Sequence, residues 1–206
     1  MENKILDSIN IYYTKKIKEY GLTPKGVDWN STESQKLRFE QLCKVIEPIE
    51  YFSILDFGCG YGALLNYLKE NKRNFHYKGF DISDEMISQA IKNKNDFKNA
   101  VWETKLSNEE IFDYTIASGI FNVKLENNEP DWMSHVKNTL AEFNKHSRKG
   151  FSFNMLTSYS NKELMKDYLF YANPGYFFNY CKKNFSKYVA LLHDYPLYEF
   201  TIIVKK

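Results

Sequence analysis

The chain has 206 residues, 43% of them apolar, enough for one domain with a sizeable core and too short for a second independent one. Its 28 Lys and Arg side chains against 26 Asp and Glu are mixed along the sequence, with only short basic clusters at Lys15-Lys16-Lys18 and Lys182-Lys183-Lys187, which argues against nucleic acid as a partner. No apolar run approaches the ~20 residues that span a bilayer, and Met1-Glu2-Asn3-Lys4 lacks a signal-peptide layout, so the expectation is a cytoplasmic protein without a membrane partner. Cys43, Cys59 and Cys181 form no disulfide framework and share no metal-ligand spacing with the four histidines, so no metal is expected.

From Asn3 to Tyr20 the residues Ile5, Ile9, Tyr12, Tyr13, Ile17 and Tyr20 fall on one helical stripe, stopped by Gly21 and Pro24. A second helix is predicted to start at the capping-box pattern Thr32-Glu33-Ser34-Gln35, to carry Leu42, Val45, Ile46 and Ile49, and to end at Pro48 or just beyond. Residues 1–50 thus read as a helical cap and 51–206 as a sheet core. The apolar run ending at Leu55 is a buried strand, and it opens through Asp56-Phe57-Gly58-Cys59-Gly60-Tyr61-Gly62 onto the helix of Ala63 to Leu68. Glycines there allow positive φ and the close approach of a ligand to the backbone.

Strand and helix then alternate, with strands near 52–56, 76–81, 100–103, 113–118 and 150–155, which predicts a parallel sheet covered on both faces. Trp132, Val136, Leu140 and Phe143 make the buried stripe of the helix before the fifth strand, and Gly150 marks the turn into it. Two more helices are predicted over 161–171 and 175–185. Strands follow at 188–192 and 198–204, joined by His193 to Leu197.

The glycine loop on its own fits two ligands, because Gly58-Cys59-Gly60-Tyr61-Gly62-Ala63 also matches the dinucleotide pattern G-x-G-x-x-G/A. Asp56 separates them, since a carboxylate two residues before the first glycine repels a pyrophosphate and attracts an ammonium or sulfonium. Asp81, at the end of the second strand, is placed to accept hydrogen bonds from both ribose hydroxyls of either ligand. Asp56, Asp81, Glu103 and Ser118 all emerge at the carboxyl ends of strands, where open α/β sheets bind ligands.

Together, D-x-G-x-G, the downstream acid, Phe112-Asp113-Tyr114-Thr115-Ile116-Ala117-Ser118-Gly119 and the closing strands from Tyr188 to Val204 resemble the class I S-adenosylmethionine-dependent methyltransferases. Gly26-Val27-Asp28-Trp29-Asn30, Gln35 with Arg38, Ser118-Gly119-Ile120-Phe121-Asn122 and Leu192-His193-Asp194-Tyr195 are similar to a bacterial subgroup associated with surface-polysaccharide and secondary-metabolite genes. The resemblance implies an α/β fold with a doubly wound, mostly parallel, seven-stranded Rossmann-like sheet, a terminal antiparallel strand and an N-terminal helical cap. It implies S-adenosylmethionine as cofactor, S-adenosylhomocysteine as product, a small-molecule acceptor and a monomer or homodimer.

On that reading the methionine portion meets backbone groups of Gly58, Cys59, Gly60, Ser118 and Gly119, with Arg38 reaching its carboxylate and Gln35 one turn away. Gln35 has the alternative of serving as the capping-box residue, and Arg38 of pairing with Glu33, Glu40 or Glu47. Ile82 and Met86 flank the adenine, and Thr104, Lys105 and Leu106 run past its edge, without the acid usual there. His193, at the end of the sixth strand with Asp194 beside it, is the candidate general base. Tyr12, Tyr13, Trp29, Phe121, Asn122, Asn154 and Tyr171 are candidates for the acceptor pocket, each with packing under the cap as the alternative. His76, His135 and His146 fall on strand or helix surfaces. The acceptor is expected to offer an oxygen, of a sugar, a nucleotide-linked intermediate or a phosphoryl or phosphoramidate group. The competing functions are a nicotinamide-dependent oxidoreductase and a cofactor-binding partner subunit without transfer chemistry.

Overall fold

The structure, a computed structural model, describes residues 2–29, 31–48, 50–71, 74–93 and 97–206. Asn30 of the cap motif and Ile49 of the second helix's stripe lie outside the described residues. Helix α1 (Glu2–Tyr20) and helix α2 (Thr32–Leu42) precede strand β1 (Phe52–Phe57), and then come α3 (Ala63–Glu70), β2 (Phe75–Phe80), α4 (Asp84–Asn93) and β3 (Ala100–Glu103). The chain continues through β4 (Phe112–Ala117), α5 (Glu129–His146), β5 (Ser147–Leu156), α6 (Pro174–Asn184), β6 (Tyr188–Leu192) and β7 (Glu199–Lys205).

The seven strands form one sheet in the order β3-β2-β1-β4-β5-β7-β6. All pairings among β1 to β5 are parallel, and β7 runs antiparallel between β5 and β6. This is the doubly wound, Rossmann-like sheet that the strand and helix alternation predicts. Strand order reverses between β1 and β4, where Asp56 pairs with Ile116, so a ligand crevice opens beyond the carboxyl ends of those two strands.

Alternate residues of each strand feed two apolar layers. Phe52, Ile54, Phe75, Tyr77, Tyr114 and Ile116 pack with Leu64, Leu65 and Leu68 of α3 and with Phe39 and Leu42 of α2. On the other face, Phe151, Phe153, Phe200 and Ile202 pack with Trp132, Val136, Leu140 and Phe143 of α5 and Phe177 of α6. The α5 stripe read from the sequence is fully buried at all four positions. Helix α1 spans two clusters: Ile5 and Ile9 join the α5 layer, and Ile17 packs on Tyr61 and Met86 in a third, smaller one.

Four sequence expectations change. Ser31 caps α2, its Oγ accepting from Ser34 N at 3.1 Å, so the cap sits one residue before Thr32 and frees Gln35 from a capping-box role. The helix stops at Leu42 and continues only as a 3-10 turn to Val45. No helix covers 161–171 beyond a 3-10 turn at Lys162–Leu164. That segment instead runs alongside the chain after β4, with Phe170 N donating to Asn122 O and the Lys124 and Leu125 amides to Tyr168 O. Gly150 lies inside β5 rather than before it, where a Cβ would meet Val204 O at 2.4 Å.

The sheet is also not covered evenly. Residues 104–111 link β3 to β4 without a helix, so the outer part of the α5 face has no helix above it. Lys78 takes that place, 4% exposed, with Nζ 2.6 Å from Glu103 and 2.5 Å from Glu110. On the opposite face the Trp102 indole lies between Gly62 and Gly79, each of which would put a Cβ 2.4 Å from it. Gly79→Ala is therefore expected to destabilise the protein by about 1–3 kcal/mol through overpacking, seen in urea as a lower midpoint at unchanged slope.

Candidate active site

A cavity of about 580 Å³ opens at the strand-order reversal, within the range of small-molecule sites. Its floor is the β1–α3 loop, the β2–α4 loop and Ser118 to Ile120 after β4. Helix α1 contributes Leu6, Ile9, Asn10 and Tyr13 as a roof, and Val27, Trp29, Gln35 and Phe39 close one side. It continues onto the sheet face over Phe57 and Phe80, beside His135, Asn138, Thr139 and Glu142 of α5. That extension exists because the β3–β4 link is too short to place a helix there.

The glycine loop has the backbone that the sequence requires. Gly58, Gly60 and Gly62 have φ of 76°, 52° and 83°, a region costly for residues with a Cβ. Gly58 and Cys59 donate their amides to Phe80 O, which ties the loop to the end of β2. Asp81 accepts from Gly60 N at 2.9 Å and from Ser83 N at 3.0 Å. The carboxylate is thereby fixed at the cavity edge. Burial pushes its pKa up to about 6, against the lowering effect of those two amides. Ile82 and Met86 line the same end of the cavity.

Asp56 sits at the floor, 3% exposed, and accepts from Tyr77 Oη at 2.5 Å. Burial raises its pKa to about 7, the Tyr77 hydrogen bond opposing and the neighbouring Asp81 adding to the rise. Near neutrality Asp56 is thus poised between charged and neutral, and a cation beside it would draw it into the charged form.

Arg38 does not line the cavity. Its Nε and Nη2 form a bidentate pair with Glu199 of β7 at 2.7–3.0 Å, both side chains buried. Neither Glu33, Glu40 nor Glu47 takes this role, because the helix turns Arg38 inward to the sheet. Glu199 also accepts from Asn154 Nδ2, and Asn154 Oδ1 accepts from Gly119 N at 2.8 Å. The Arg38 guanidinium stacks 3.9 Å from the Trp29 ring centroid, and Trp29 lies where a Cβ on Gly119 would stand. Asn154 and Trp29 therefore shape the Ser118–Gly119 turn. Gln35, one helical turn from Arg38, does line the cavity and accepts from Tyr61 Oη at 3.0 Å. The Gly119 amide is used by Asn154, and Ser118, which lines the cavity, has its Oγ buried with no hydrogen-bond partner among the described residues.

The remaining predicted residues divide. Tyr13 lines the cavity, whereas Tyr12 donates to Asp28 at 2.9 Å at the edge of the cap. Phe121 is fully buried in the α5 layer, and Asn122 Oδ1 accepts from Leu156 N, so both support the loop instead of facing a ligand. Tyr171 caps Lys166 N away from the cavity. Thr104, Lys105 and Leu106 are absent from the cavity wall, as the short β3–β4 link carries them past it. His193 and Asp194 are exposed and do not line the cavity; the His193 ring packs against Tyr159 and Phe200. His135 and His146 are buried instead of lying on the surface, and His135 lines the cavity. Its place was visible in the sequence, one residue before Val136 on the α5 stripe, but only the missing β3–β4 helix turns that edge of α5 toward a ligand.

Among the described residues no cluster of His, Cys, Asp or Glu is arranged to hold a metal, and no helix is long and apolar enough to cross a membrane.

A methyltransferase-domain family profile matches residues 55–144. The Mycobacterium tuberculosis protein Rv1506c, named as a methyltransferase, is 47% identical over 163 residues, covering 79% of this chain and 98% of its own. Magnesium protoporphyrin IX methyltransferase from Synechocystis, solved with S-adenosylmethionine, superposes with a TM-score of 0.65 at 12% identity over 100% of this chain and 96% of its own. The DhpI complex gives 0.67 at 11% over 97% and 98%, and the N-methyltransferase NodS from Bradyrhizobium japonicum 0.65 at 13% over 96% and 97%. The glycine loop, the fixed Asp81 carboxylate, the sheet order and the Rv1506c relative agree: the chain belongs to the class I S-adenosylmethionine-dependent methyltransferases.

Proposed function

We propose that this protein binds S-adenosylmethionine in the cavity between α1 and the strand ends and transfers its methyl group to an oxygen of a small polar acceptor. The observation that carries the reading is the pairing of two carboxylates across the glycine loop: Asp81, held by Gly60 N and Ser83 N, for the ribose hydroxyls, and buried Asp56 for the cationic end. Gln35, Ser118 and the loop backbone serve the methionine portion, and Ile82 and Met86 flank the adenine. A nicotinamide dinucleotide is disfavoured because its pyrophosphate would lie against Asp56. Complexes of the structural neighbours are named with S-adenosylmethionine or its product, which supports the same cofactor here.

The sulfonium arrives activated, so the protein's work is alignment and, for a hydroxyl, proton removal. His135 replaces His193 as the candidate proton acceptor, because it lines the cavity while His193 faces solvent. The acceptor belongs to surface-glycan or secondary-metabolite assembly, and the protein works in the cytoplasm as a monomer or homodimer forming one methyltransferase unit.

Three outcomes check this. Asp81→Ala should weaken S-adenosylhomocysteine binding in calorimetry by about two orders of magnitude, the loss of roughly 3 kcal/mol of charge-assisted hydrogen bonding; unchanged affinity would place the ribose elsewhere. His135→Ala should lower kcat by about 10²-fold or more with cofactor binding retained, while His193→Ala stays near wild type; the reverse pattern restores His193 as the base. The third concerns Asp56, whose pKa is raised to about 7. A cationic ligand favours its ionised form, so the affinity ratio of S-adenosylmethionine to neutral-sulfur S-adenosylhomocysteine should rise as pH climbs through about 7 and flatten in Asp56→Asn. A raised carboxyl pKa means the folded state holds the extra proton, so this group's contribution to stability falls as pH rises from the ordinary carboxylate range and levels off above about 7.

A further inference from the structure

Two buried side chains that stand off the cavity wall govern what one part of that wall presents. Glu199, 1% exposed, accepts from Arg38 Nε and Nη2 at 2.7–3.0 Å and from Asn154 Nδ2 at 2.5 Å. Asn154 is its diagonal neighbour on one face of the β5–β7 ladder, where Asn154 pairs with Thr201 and Leu156 with Glu199. A carboxylate has acceptors only. Asn154 must therefore turn its amide nitrogen toward Glu199, which leaves Oδ1 on the other side to accept from Gly119 N at 2.8 Å. The glutamate thus dictates the orientation of the carboxamide, and the carboxamide holds the turn. Gly119 has φ of 74°, and Trp29 fills the place its Cβ would take. Ser118 beside it lines the cavity, its Oγ buried with no hydrogen-bond partner among the described residues.

From this relay we infer that Glu199 and Asn154 are positioning residues for the methionine end of the methyl donor, acting through the Ser118–Gly119 turn without touching the ligand. The inference rests on the methyltransferase reading and adds to it the residues that set one of its subsites. Glu199→Gln leaves a single acceptor oxygen where three donors converge. Either Arg38 loses its bidentate hold, or Asn154 flips and sets its NH2 against the Gly119 N–H. The turn shifts in both cases, because a buried donor left unpaired is costly. The adenosine end depends on other groups: Asp81 is held by Gly60 N and Ser83 N, bonded to neither Glu199 nor Asn154. Damage to the relay is therefore felt at one end of the cofactor and not at the other.

The test compares two ligands, S-adenosylhomocysteine and methylthioadenosine, the second of which keeps the adenosine and the sulfur but lacks the amino-acid portion. Both are titrated by calorimetry into the wild type, Glu199→Gln and Asn154→Leu, each first shown to be folded by circular dichroism at the temperature used. Asn154→Leu leaves the Arg38–Glu199 pair in place, so it serves should Glu199→Gln unfold, as breaking a buried ion pair can cause. The expected result is S-adenosylhomocysteine binding weakened about tenfold or more in each folded variant, with methylthioadenosine within about twofold of wild type. A parallel loss for both ligands would mean that the relay only supports the fold, and unchanged S-adenosylhomocysteine affinity would mean that the turn does not need it; either result overturns the inference. Wild-type protein that binds neither ligand would overturn the methyltransferase reading and the inference with it.

Discussion

The arrangement of the site depends on one buried ion pair. Arg38 from the cap and Glu199 from β7 meet inside the protein, and through them a ring of contacts closes: Gly119 to Asn154, Asn154 to Glu199, Glu199 to Arg38, Arg38 to Trp29, and Trp29 back onto Gly119. Four regions distant in sequence, the cap with Trp29 and Arg38, the turn at Gly119, β5 at Asn154 and β7 at Glu199, are held in one register. A buried charge without its partner costs several kcal/mol, so neither α2 nor the end of β7 can drift without the other. The turn after β4 inherits that rigidity, because its amide is the last link. The cap is thus bonded to the site it covers through β7 and β5.

This explains which parts of the molecule were legible in the sequence. Strands, their order of appearance and the glycine loop follow from local pattern, since a residue's neighbours decide whether it alternates, recurs every turn or needs positive φ. Asp81 was legible for the same reason: its partners, Gly60 N and Ser83 N, belong to the motif itself. Arg38 was not, because its partner lies 161 residues away and no local spacing distinguishes a guanidinium facing a ligand from one facing a distant glutamate. Asn154 was misread on the same account, as a pocket residue when it is a strut.

The histidines show a second kind of limit. His193 stands at the carboxyl end of a strand, the right end of the sheet for catalysis, but β6 is the edge strand beyond β7 and its end lies away from the crevice between β1 and β4. Position along a strand was readable; position across the sheet was not. His135 gains its place from something missing, the helix that would follow β3. A link of eight residues between Glu103 and Phe112 leaves the α5 edge open over Phe57 and Phe80, and Lys78 with its two glutamates covers what remains of that face. Likewise the segment 161–171 has helix-compatible composition, but its amides and carbonyls find partners in the chain after β4, and such pairing outranks weak helical preference.

Helix α1 is held along its length by two kinds of contact. Near its start Ile5 and Ile9 sit in the large apolar layer of α5 and α6, and farther along Ile17 packs on Tyr61 and Met86 while Thr14 bonds Ser83, and Tyr12 and Lys16 bond Asp28. The polar contacts exchange readily with water, whereas pulling either end of the helix free would expose a dry apolar contact. The roof of the cavity is therefore pinned at two separate apolar clusters, and lifting it as a rigid lid would cost both at once.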